Sequence, residues 1–109
     1  PSFEALSVAD DFDINRLDEV IHGRVRLGIM AVLSSVDRAD FNTLKARLQT
    51  TDGNLSVHLK KLEEAGFVAI EKSFVNNKPL TRVSITADGR KAFSLYLDAL
   101  GSLIGGKDG

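Results

Sequence analysis

Apolar residues recur at helical spacing along much of this 109-residue chain. In residues 24–36, which read RVRLGIMAVLSSV, they occupy most directions around a helix, which predicts a helix buried at the centre of the core. Asp13 can cap a shorter helix over 14–22, whose apolar side chains share one face: Ile14, Leu17, Val20 and Ile21. Gly23 separates these two predicted helices.

Two further helices are predicted after a polar break at residues 37–40. Asp40 can cap the stretch FNTLKARLQ, whose inner stripe is formed by Phe41, Leu44 and Leu48. After a short turn at 49–51, leucines spaced four and three residues apart predict a helix over 52–65: Leu55, Leu59 and Leu62. Gly66 follows, at a place where a glycine in the left-handed conformation commonly ends a helix.

The hydrophobic period then changes from helical to alternating. Residues 67–75 and 80–85 are rich in β-branched and aromatic side chains, which predicts a β-hairpin with its turn at Asn76-Asn77-Lys78-Pro79. Thr86 can cap a last helix that runs from Ala87 to about Leu103. The apolar stripe of that helix contains Phe93, Tyr96, Leu97, Leu100, Leu103 and Ile104.

The order of these elements predicts a mainly α fold with a β-hairpin. Two short helices joined by a tight turn precede the hairpin, which is the arrangement of a winged helix-turn-helix, here with extra N- and C-terminal helices. The length of 109 residues fits one domain. We predict an acidic N-terminal arm over residues 1–12, a winged-helix domain over 13–104 and a flexible tail over 105–109.

The composition narrows the class of protein. Hydrophobic residues make up 43% and charged residues 27% of the chain, as in ordinary soluble globular proteins. The absence of cysteine excludes a disulfide framework and a thiolate metal site or nucleophile. No apolar run approaches the roughly 20 residues that span a bilayer, and the first residues lack the layout of a signal peptide. We therefore expect a cytoplasmic protein that does not enter a membrane.

The formal net charge of −1 hides an uneven distribution of charge. Residues 1–20 contain six acidic residues and one basic residue, whereas residues 21–91 contain twelve basic and seven acidic residues. A regional excess of positive charge matters more than the total for a partner that contacts one face. Considered alone, the pattern is equally compatible with a solvated surface whose charges are unevenly ordered.

The helix predicted over 52–65 has a distinct outer face opposite its leucines. Small, amide and cationic side chains lie there: Gly53, Asn54, Val57, Lys60 and Lys61, with Ser56 and His58 on the flanks. Small residues allow close approach, asparagine can pair with adenine through two hydrogen bonds, and lysines can reach phosphates. Thr51 can cap this helix, and Asp52 suits the positive end of its dipole. For this stretch alone, an amphipathic helix with a solvated outer face is the alternative interpretation.

The predicted hairpin adds a second polar surface. Basic side chains lie on or near its tip, and the tip itself carries two amides: Lys72, Lys78 and Arg82, with Asn76 and Asn77. A basic β-ribbon of this kind can lie against a nucleic-acid backbone or in a minor groove.

Four stretches of the chain resemble the winged-helix transcriptional regulators of the MarR/ArsR-like kind: IHGRVRLGIMAVL, FNTLKARL, TTDGNLSVHLKKLEEAGFV and KSFVNNKPLTRVSITADGRKAF. The resemblance covers about residues 16–100 and is closest to the small subfamily whose recognition helix reads TDGNLSxHLxKLEEAG. Arg26 matches the family pattern, whereas Arg24 stands where relatives often have proline. Either arginine can contact phosphate or pair with an acidic residue.

The resemblance implies a dimeric DNA-binding repressor or activator, with the helix over 52–65 in the major groove and the wing beside it. The expected DNA contacts are Thr51, Asp52, Gly53, Asn54, Ser56, Val57, His58, Lys60 and Lys61 on the helix, and Lys72, Asn76, Asn77, Lys78 and Arg82 on the wing. The terminal helices are expected to form the dimer contact, with a C-terminal dimerisation helix from about residue 87. The expected interface residues are Ile14, Leu17, Ile21, Phe93, Tyr96, Leu97, Leu100 and Leu103.

Other chemistry receives little support from the residues. His22 and His58 are far apart in the sequence and have no cysteine partner, which disfavours a metal site. We expect His22 to make a structural hydrogen bond, and His58 to pack beside the core or contact a phosphate. The acidic run at residues 10–13 lacks the glycine and the distal glutamate of a calcium-binding loop. No acid–base pair and no Gly-rich phosphate loop supports catalysis, so we expect neither an enzyme nor a cofactor.

Two hypotheses of different classes follow. The first is a sequence-specific regulator of transcription that binds double-stranded DNA as a homodimer, on a pseudo-palindromic operator with half-sites about one helical turn apart. The second is a winged-helix protein-interaction module that does not bind DNA, which the negative total charge and the shortage of arginine on the outer helix face favour. A small-molecule effector is compatible with the resemblance, and the sequence does not identify one.

Overall fold

The structure is a computed structural model that describes residues 16–104. In this part of the chain, helices and strands follow one another in the order α1 (Arg24–Val36), β1 (Arg38–Asp40), α2 (Phe41–Leu48), α3 (Asp52–Glu64), β2 (Val68–Val75), β3 (Lys78–Ile85) and α4 (Ala87–Leu103). The mainly α fold with a hairpin is confirmed. The arm predicted over 1–12, the cap Asp13, Ile14 and the tail over 105–109 lie outside the described residues.

Helix α1 lies at the centre of the fold and packs against α2, α3, β3 and α4. It buries one side, formed by Val25, Ile29, Met30 and Leu33, while Val36 at its end is about half exposed. The central position is therefore confirmed, although the burial covers one face rather than the whole circumference. Helices α2 and α3 both pack against α1, so α1 determines the position of the helix-turn-helix that they form.

The three strands form one antiparallel sheet in the order β1-β3-β2. Strand β1 pairs with residues 82–84 of β3, for example Ala39 with Val83. The prediction of a simple polar break at 37–40 is wrong, because residues 38–40 form this strand. Three residues are too few to show the alternation that identifies a strand, and the pairing depends on a partner more than forty positions away.

The hairpin turn is tighter than predicted. Asn76 and Asn77 both have positive φ, at 53° and 64°, as a two-residue type I′ turn requires. Lys78 and Pro79 therefore belong to β3 rather than to the turn, so the predicted start of this strand at residue 80 is two residues late. Pro79 is tolerated because it lies opposite Phe74, one step beyond the closing pair of the turn, where no hydrogen bond between the strands is needed.

The N-terminal segment does not form the helix predicted over 14–22 in its described part. Residues 17–23 form turns instead. The Asp18 carboxylate accepts hydrogen bonds from the backbone N–H groups of Val20, at 2.8 Å, and Ile21, at 3.3 Å. This side chain gives the backbone an alternative to helical hydrogen bonding. Leu17 and Ile21 are nevertheless buried against the core, as their apolar character requires.

Helix α4 closes the core. The side-chain oxygen of Thr86 accepts a hydrogen bond from the N–H of Gly89 at 2.9 Å, which confirms the predicted cap. Gly89 lies against the segment that enters β2, since a Cβ atom there would come within 2.1 Å of the Phe67 carbonyl oxygen. Phe93 and Tyr96 continue the buried stripe along this helix. Within residues 16–104, no helix has the length and apolar character needed to cross a membrane.

Candidate nucleic-acid interface

The tight connection between α2 and α3 sets the start of the candidate recognition helix. Gln49 adopts the left-handed conformation with φ of 52°, which reverses the chain after α2. The side-chain oxygen of Thr51 accepts a hydrogen bond from the N–H of Asn54 at 3.2 Å, so the predicted cap is confirmed. Lys45 of α2 forms an ion pair of 2.7 Å with Asp52 in the first turn of α3. This ion pair joins the two helices at the corner of the helix-turn-helix.

Three leucines hold α3 to the core and leave its opposite face in solvent. Leu55, Leu59 and Leu62 are all buried, as predicted. The residues predicted to contact DNA from the first turns of the helix are all exposed: Thr51, Asp52, Gly53, Asn54, Ser56 and Val57. A Cβ atom on Gly53 would meet no other atom within 4 Å, so the fold itself does not require glycine at this position.

Several polar side chains of α3 already have partners within the chain. The amide Nδ2 of Asn54 donates to the hydroxyl oxygen of Thr50 at 2.7 Å. Lys60 lies 3.9 Å from Glu64 one helical turn later, and both side chains are mostly exposed. An exposed pair of this type contributes little to stability, so the lysine is free to exchange its partner.

His58 points toward α1 rather than into solvent. Arg26 donates from Nη1 to His58 Nδ1 at 2.9 Å and also donates from Nε to the carbonyl oxygen of Val20. Because arginine has no acceptor, this hydrogen bond requires a neutral imidazole with its proton on Nε2. Burial, followed by the charges of Arg26 and Lys61, lowers the pKa of His58 below its ordinary value of 6.5. The structure thus places His58 beside the core, linked to the arginine that matches the family pattern.

His22 makes the structural hydrogen bond that the sequence predicted. Its Nδ1 lies 2.7 Å from the hydroxyl oxygen of Tyr96, and the two rings are tilted with centroids 5.8 Å apart. This contact joins the N-terminal turn to α4. Arg24 is exposed at the start of α1.

The predicted basic residues of the wing are not all at its tip. Lys72, Asn76, Asn77 and Lys78 are exposed in the distal half of the hairpin. Arg82 instead lies in the middle of β3, where its Cα partners are Asp40 and Glu71. Hydrogen bonds from Thr43, and then the charge of Arg82, hold the pKa of Asp40 below its ordinary value. Arg82 therefore lies between Asp40 and Glu71 in the sheet and is not at the tip of the hairpin.

An open groove of 720 Å³ separates α3 from the hairpin. Its walls include Ser56, Lys60 and Glu63 from the helix, and Ile70, Lys72 and Thr81 from the two strands. Because paired residues of antiparallel strands share a face, Lys72 and Thr81 face the helix, whereas Arg82 and Glu71 face the other side of the sheet. The structure thus brings the outer turns of α3 and one face of the wing to a common side of the molecule.

The residues predicted for a dimer contact fall into two groups. Leu17, Ile21, Phe93 and Tyr96 are buried within this chain, and Leu100 is partly buried. Leu97 and Leu103 are about half exposed, as is Leu95, while Ile104 is 77% exposed. The buried residues hold α4 to the core, and the exposed ones flank them: Leu95 on one side, Leu97 and Ile104 on the other, and Leu103 near the C-terminal end of the helix. The prediction omitted Leu95, which lies outside the stripe that faces the core.

Comparisons with known proteins agree with this geometry. The family model described as a winged helix DNA-binding domain matches residues 25–104, and the chain belongs to that family. An uncharacterized protein of Methanocaldococcus jannaschii is 44% identical over 79 residues, which cover 72% of this chain and 86% of that protein. The structure of the transcriptional regulator homologue protein from Pyrococcus horikoshii OT3 is 32% identical with a TM-score of 0.71, covering 87% of this chain and 99% of that one.

More distant solved structures share the fold. The M. tuberculosis transcriptional regulator MosR in complex with DNA is 20% identical with a TM-score of 0.66, covering 94% of this chain and 71% of that one. A MarR-family transcriptional regulator from Silicibacter pomeroyi is 21% identical with a TM-score of 0.60, covering 97% of this chain and 70% of that one. The predicted winged helix is confirmed, and its fold is shared with a MarR-family regulator.

Proposed function

We propose that this chain is a sequence-specific transcriptional regulator that binds double-stranded DNA as a homodimer. The observation that carries the proposal is the common side shared by the exposed first turns of α3 and the groove face of the wing. Anchoring by buried leucines gives the helix a fixed position, and a fixed helix end can match the edges of base pairs. The family of DNA-binding domains to which the chain belongs supports the same partner.

In the proposed complex, α3 enters the major groove and the wing lies on the backbone or in the adjacent minor groove. Asn54 and Ser56 are near the N-terminal end of α3, where the residues of a recognition helix contact base edges. Lys60 and Lys61 lie farther along the helix, and Lys72 and Lys78 on the wing, where ammonium groups can contact phosphates. The solved complex of MosR with DNA, which has this fold, supports the choice of DNA as partner.

We propose that the exposed apolar side chains on the flanks and at the C-terminal end of α4 form the dimer contact. Leu95, Leu97, Leu103 and Ile104 expose their side chains there, and their burial against a second copy removes apolar surface from water. A two-fold dimer has two recognition helices, so its operator is pseudo-palindromic with half-sites about 34 Å apart. We place the protein in the cytoplasm as part of the same proposal, since operator DNA is its partner.

A protein-interaction module without DNA binding is the second candidate function. The carboxylates of Asp52, Glu63 and Glu64 on α3 and the ion pair of Lys60 favour it, because they reduce the positive potential of the helix. Retention on heparin at low salt distinguishes the two candidates, since a module that does not bind polyanions passes through the column.

The direct experiment is selection of bound duplexes from a random pool, followed by a salt titration of the affinity for the selected sequence. We expect one enriched sequence with two-fold symmetry, and an affinity that falls steeply as salt increases because bound counterions are released. Asn54→Ala should weaken binding to the enriched sequence. A pool without enrichment, together with no retention on heparin, would contradict the proposal.

A further inference from the structure

Phe74 is the most exposed large apolar side chain of the hairpin, at 74%. Along β2, Ile70 and Lys72 line the groove beside α3, and side chains alternate between the two faces of a strand. Phe74 is the next residue of this series, so its ring lies on the same face of the hairpin as the groove. Val75, the following residue, lies on the opposite face.

The surroundings of the ring are polar and cationic. Strand β1 pairs with β3 only at residues 82–84, so the distal part of the hairpin projects as two strands without a third. Around Phe74, this projecting part carries the exposed side chains of Lys72, Asn76, Asn77 and Lys78. The ring of Phe74 thus lies near the end of the two-stranded hairpin, between ammonium and amide groups. This arrangement complements a partner that has anionic groups at its edge and aromatic groups inside.

We propose that Phe74 is an apolar wedge that inserts between base pairs of the minor groove next to the half-site occupied by α3. The inference rests on the proposed function and adds to it a residue that determines specificity. Lys72 lies on the same face of the hairpin as Phe74, so its ammonium group can contact a phosphate beside the proposed wedge. The two-residue turn at Asn76-Asn77 fixes the tip before binding.

Insertion of a ring partly unstacks the base step and bends the duplex, as apolar side chains of other minor-groove proteins do. Pyrimidine–purine steps unstack most easily, so they are favoured at the position of the wedge although no hydrogen bond reads them. The wing then contributes to specificity through the deformability of the DNA. The helix α3 contributes through contacts with base edges in the major groove.

The chain contains no tryptophan, which allows one to be introduced as a reporter. In Phe74→Trp the indole replaces the proposed wedge, and in Val75→Trp it stands one residue away on the opposite face of the same hairpin. Each variant is titrated with a duplex selected by the unchanged protein, and the anisotropy of a dye on that duplex records binding independently. Tryptophan emission and its quenching by acrylamide are then measured with and without saturating duplex.

We expect the indole at position 74 to lose emission and to become protected from acrylamide in the complex, because it stacks between bases. The indole at position 75 should stay accessible. Phe74→Ala should lower the affinity of the dimer for the selected duplex about a hundredfold, as expected for the loss of one base–aromatic stack of about tenfold in each half-site, whereas Val75→Ala should change it less than about twofold. Replacement of the flexible step by a stiff one should remove most of the difference between Phe74→Ala and the unchanged protein.

Three results would overturn the wedge. Binding by anisotropy with an indole at position 74 that remains fully accessible shows that the ring does not insert. Protection at position 74 that grows with protein concentration in the absence of DNA shows that a second copy covers it. No binding of any duplex by the unchanged protein refutes the proposed function itself and, with it, the wedge, and the anisotropy separates this outcome from the first.

Discussion

The candidate recognition helix α3 and the wing present polar groups to the same side of the molecule, but these groups differ in whether they have partners within the chain. On α3, three of the side chains predicted to contact DNA have a partner within the chain: Asp52 is paired with Lys45, Asn54 with Thr50 and Lys60 with Glu64. On the distal wing, the side chains of Lys72, Asn76, Asn77 and Lys78 make no ion pair or hydrogen bond to other groups within residues 16–104.

This difference indicates that α3 and the wing contribute differently to the proposed binding of DNA. Asn54 must release Thr50 before it binds a base, which costs part of the energy gained, but the correct base pair compensates for that loss better than a wrong one. A lysine of the wing loses no partner within the described residues, so it can bind any phosphate in reach. We therefore infer that α3 supplies most of the specificity and that the wing supplies much of the salt-dependent affinity.

The largest expected effect comes from removal of the anchor of α3. Leu59→Ala empties a buried position under the helix and should lower the free energy of unfolding by about 2–5 kcal/mol. Urea unfolding followed by circular dichroism measures the loss. The matched control is Val57→Ala on the exposed outer face, where we expect a change within about 0.5 kcal/mol. Equal destabilisation by the two changes would contradict the proposed orientation of α3.

The next effect concerns specificity. Asn54→Ala should reduce the discrimination between the selected duplex and a version changed at one base pair by about 1–3 kcal/mol, because a bidentate contact is lost. Competition binding at constant salt gives this ratio. The unfolding free energy of the variant serves as its control and should change little. An unchanged ratio, with the fold intact, shows that Asn54 does not read a base.

The wing lysines should act mainly on the salt dependence. Lys72→Ala combined with Lys78→Ala should reduce the slope of log affinity against log salt by about 3.6, since the dimer carries four of these lysines and each phosphate contact contributes about 0.9. The discrimination between duplexes should remain nearly constant. Lys91→Ala, an exposed lysine of α4, is the control with the same kind of charge change. If it reduces the slope as much as one wing lysine does, the effect arises from overall charge and not from the wing.

The smallest effect is a pH dependence from His58. Its pKa is lower in the folded protein than the ordinary value of 6.5, so its neutral form is favoured by folding. The corresponding stability is complete above the ordinary pKa and is lost as the pH falls toward the folded value. His58→Gln keeps an acceptor for Arg26 and does not titrate.

When the pH falls from about 7.5 to about 5, the urea midpoint of the unchanged protein should therefore decrease relative to that of His58→Gln. The comparison isolates position 58, because the two proteins are otherwise identical. A difference that does not depend on pH would show that the hydrogen bond to Arg26 does not determine the charge of His58.

The sequence predicted the elements whose stabilising residues are local. The helices over 24–36, 41–48, 52–64 and 87–103 have apolar stripes, and side-chain caps from Asp40, Thr51 and Thr86 precede three of them. These features act within a few residues, so their pattern is visible without the rest of the chain. The outer face of α3 was predictable for the same reason, because the position of its leucines determines which residues face solvent.

The features that the sequence did not predict depend on contacts between distant residues, or on side chains that compete with the helix for backbone hydrogen bonds. Strand β1 exists because β3 offers a free edge, and the helix over 14–22 was overestimated because the Asp18 carboxylate bonds to nearby backbone. The link between Arg26 and His58 joins residues 32 positions apart. Phe74 looked like an ordinary strand residue, and only the hairpin register showed that its ring is exposed beside the groove.

The central claim is that the outer face of α3 enters the major groove. The chain has no cysteine, so Val57→Cys provides a single attachment point for an iron chelate on that face. Cleavage of the selected duplex should centre within each half-site, with the offset between strands that marks the major groove. The claim is contradicted if cleavage spreads evenly along the duplex, or if it is no stronger than cleavage from the same chelate on Asp98→Cys of α4.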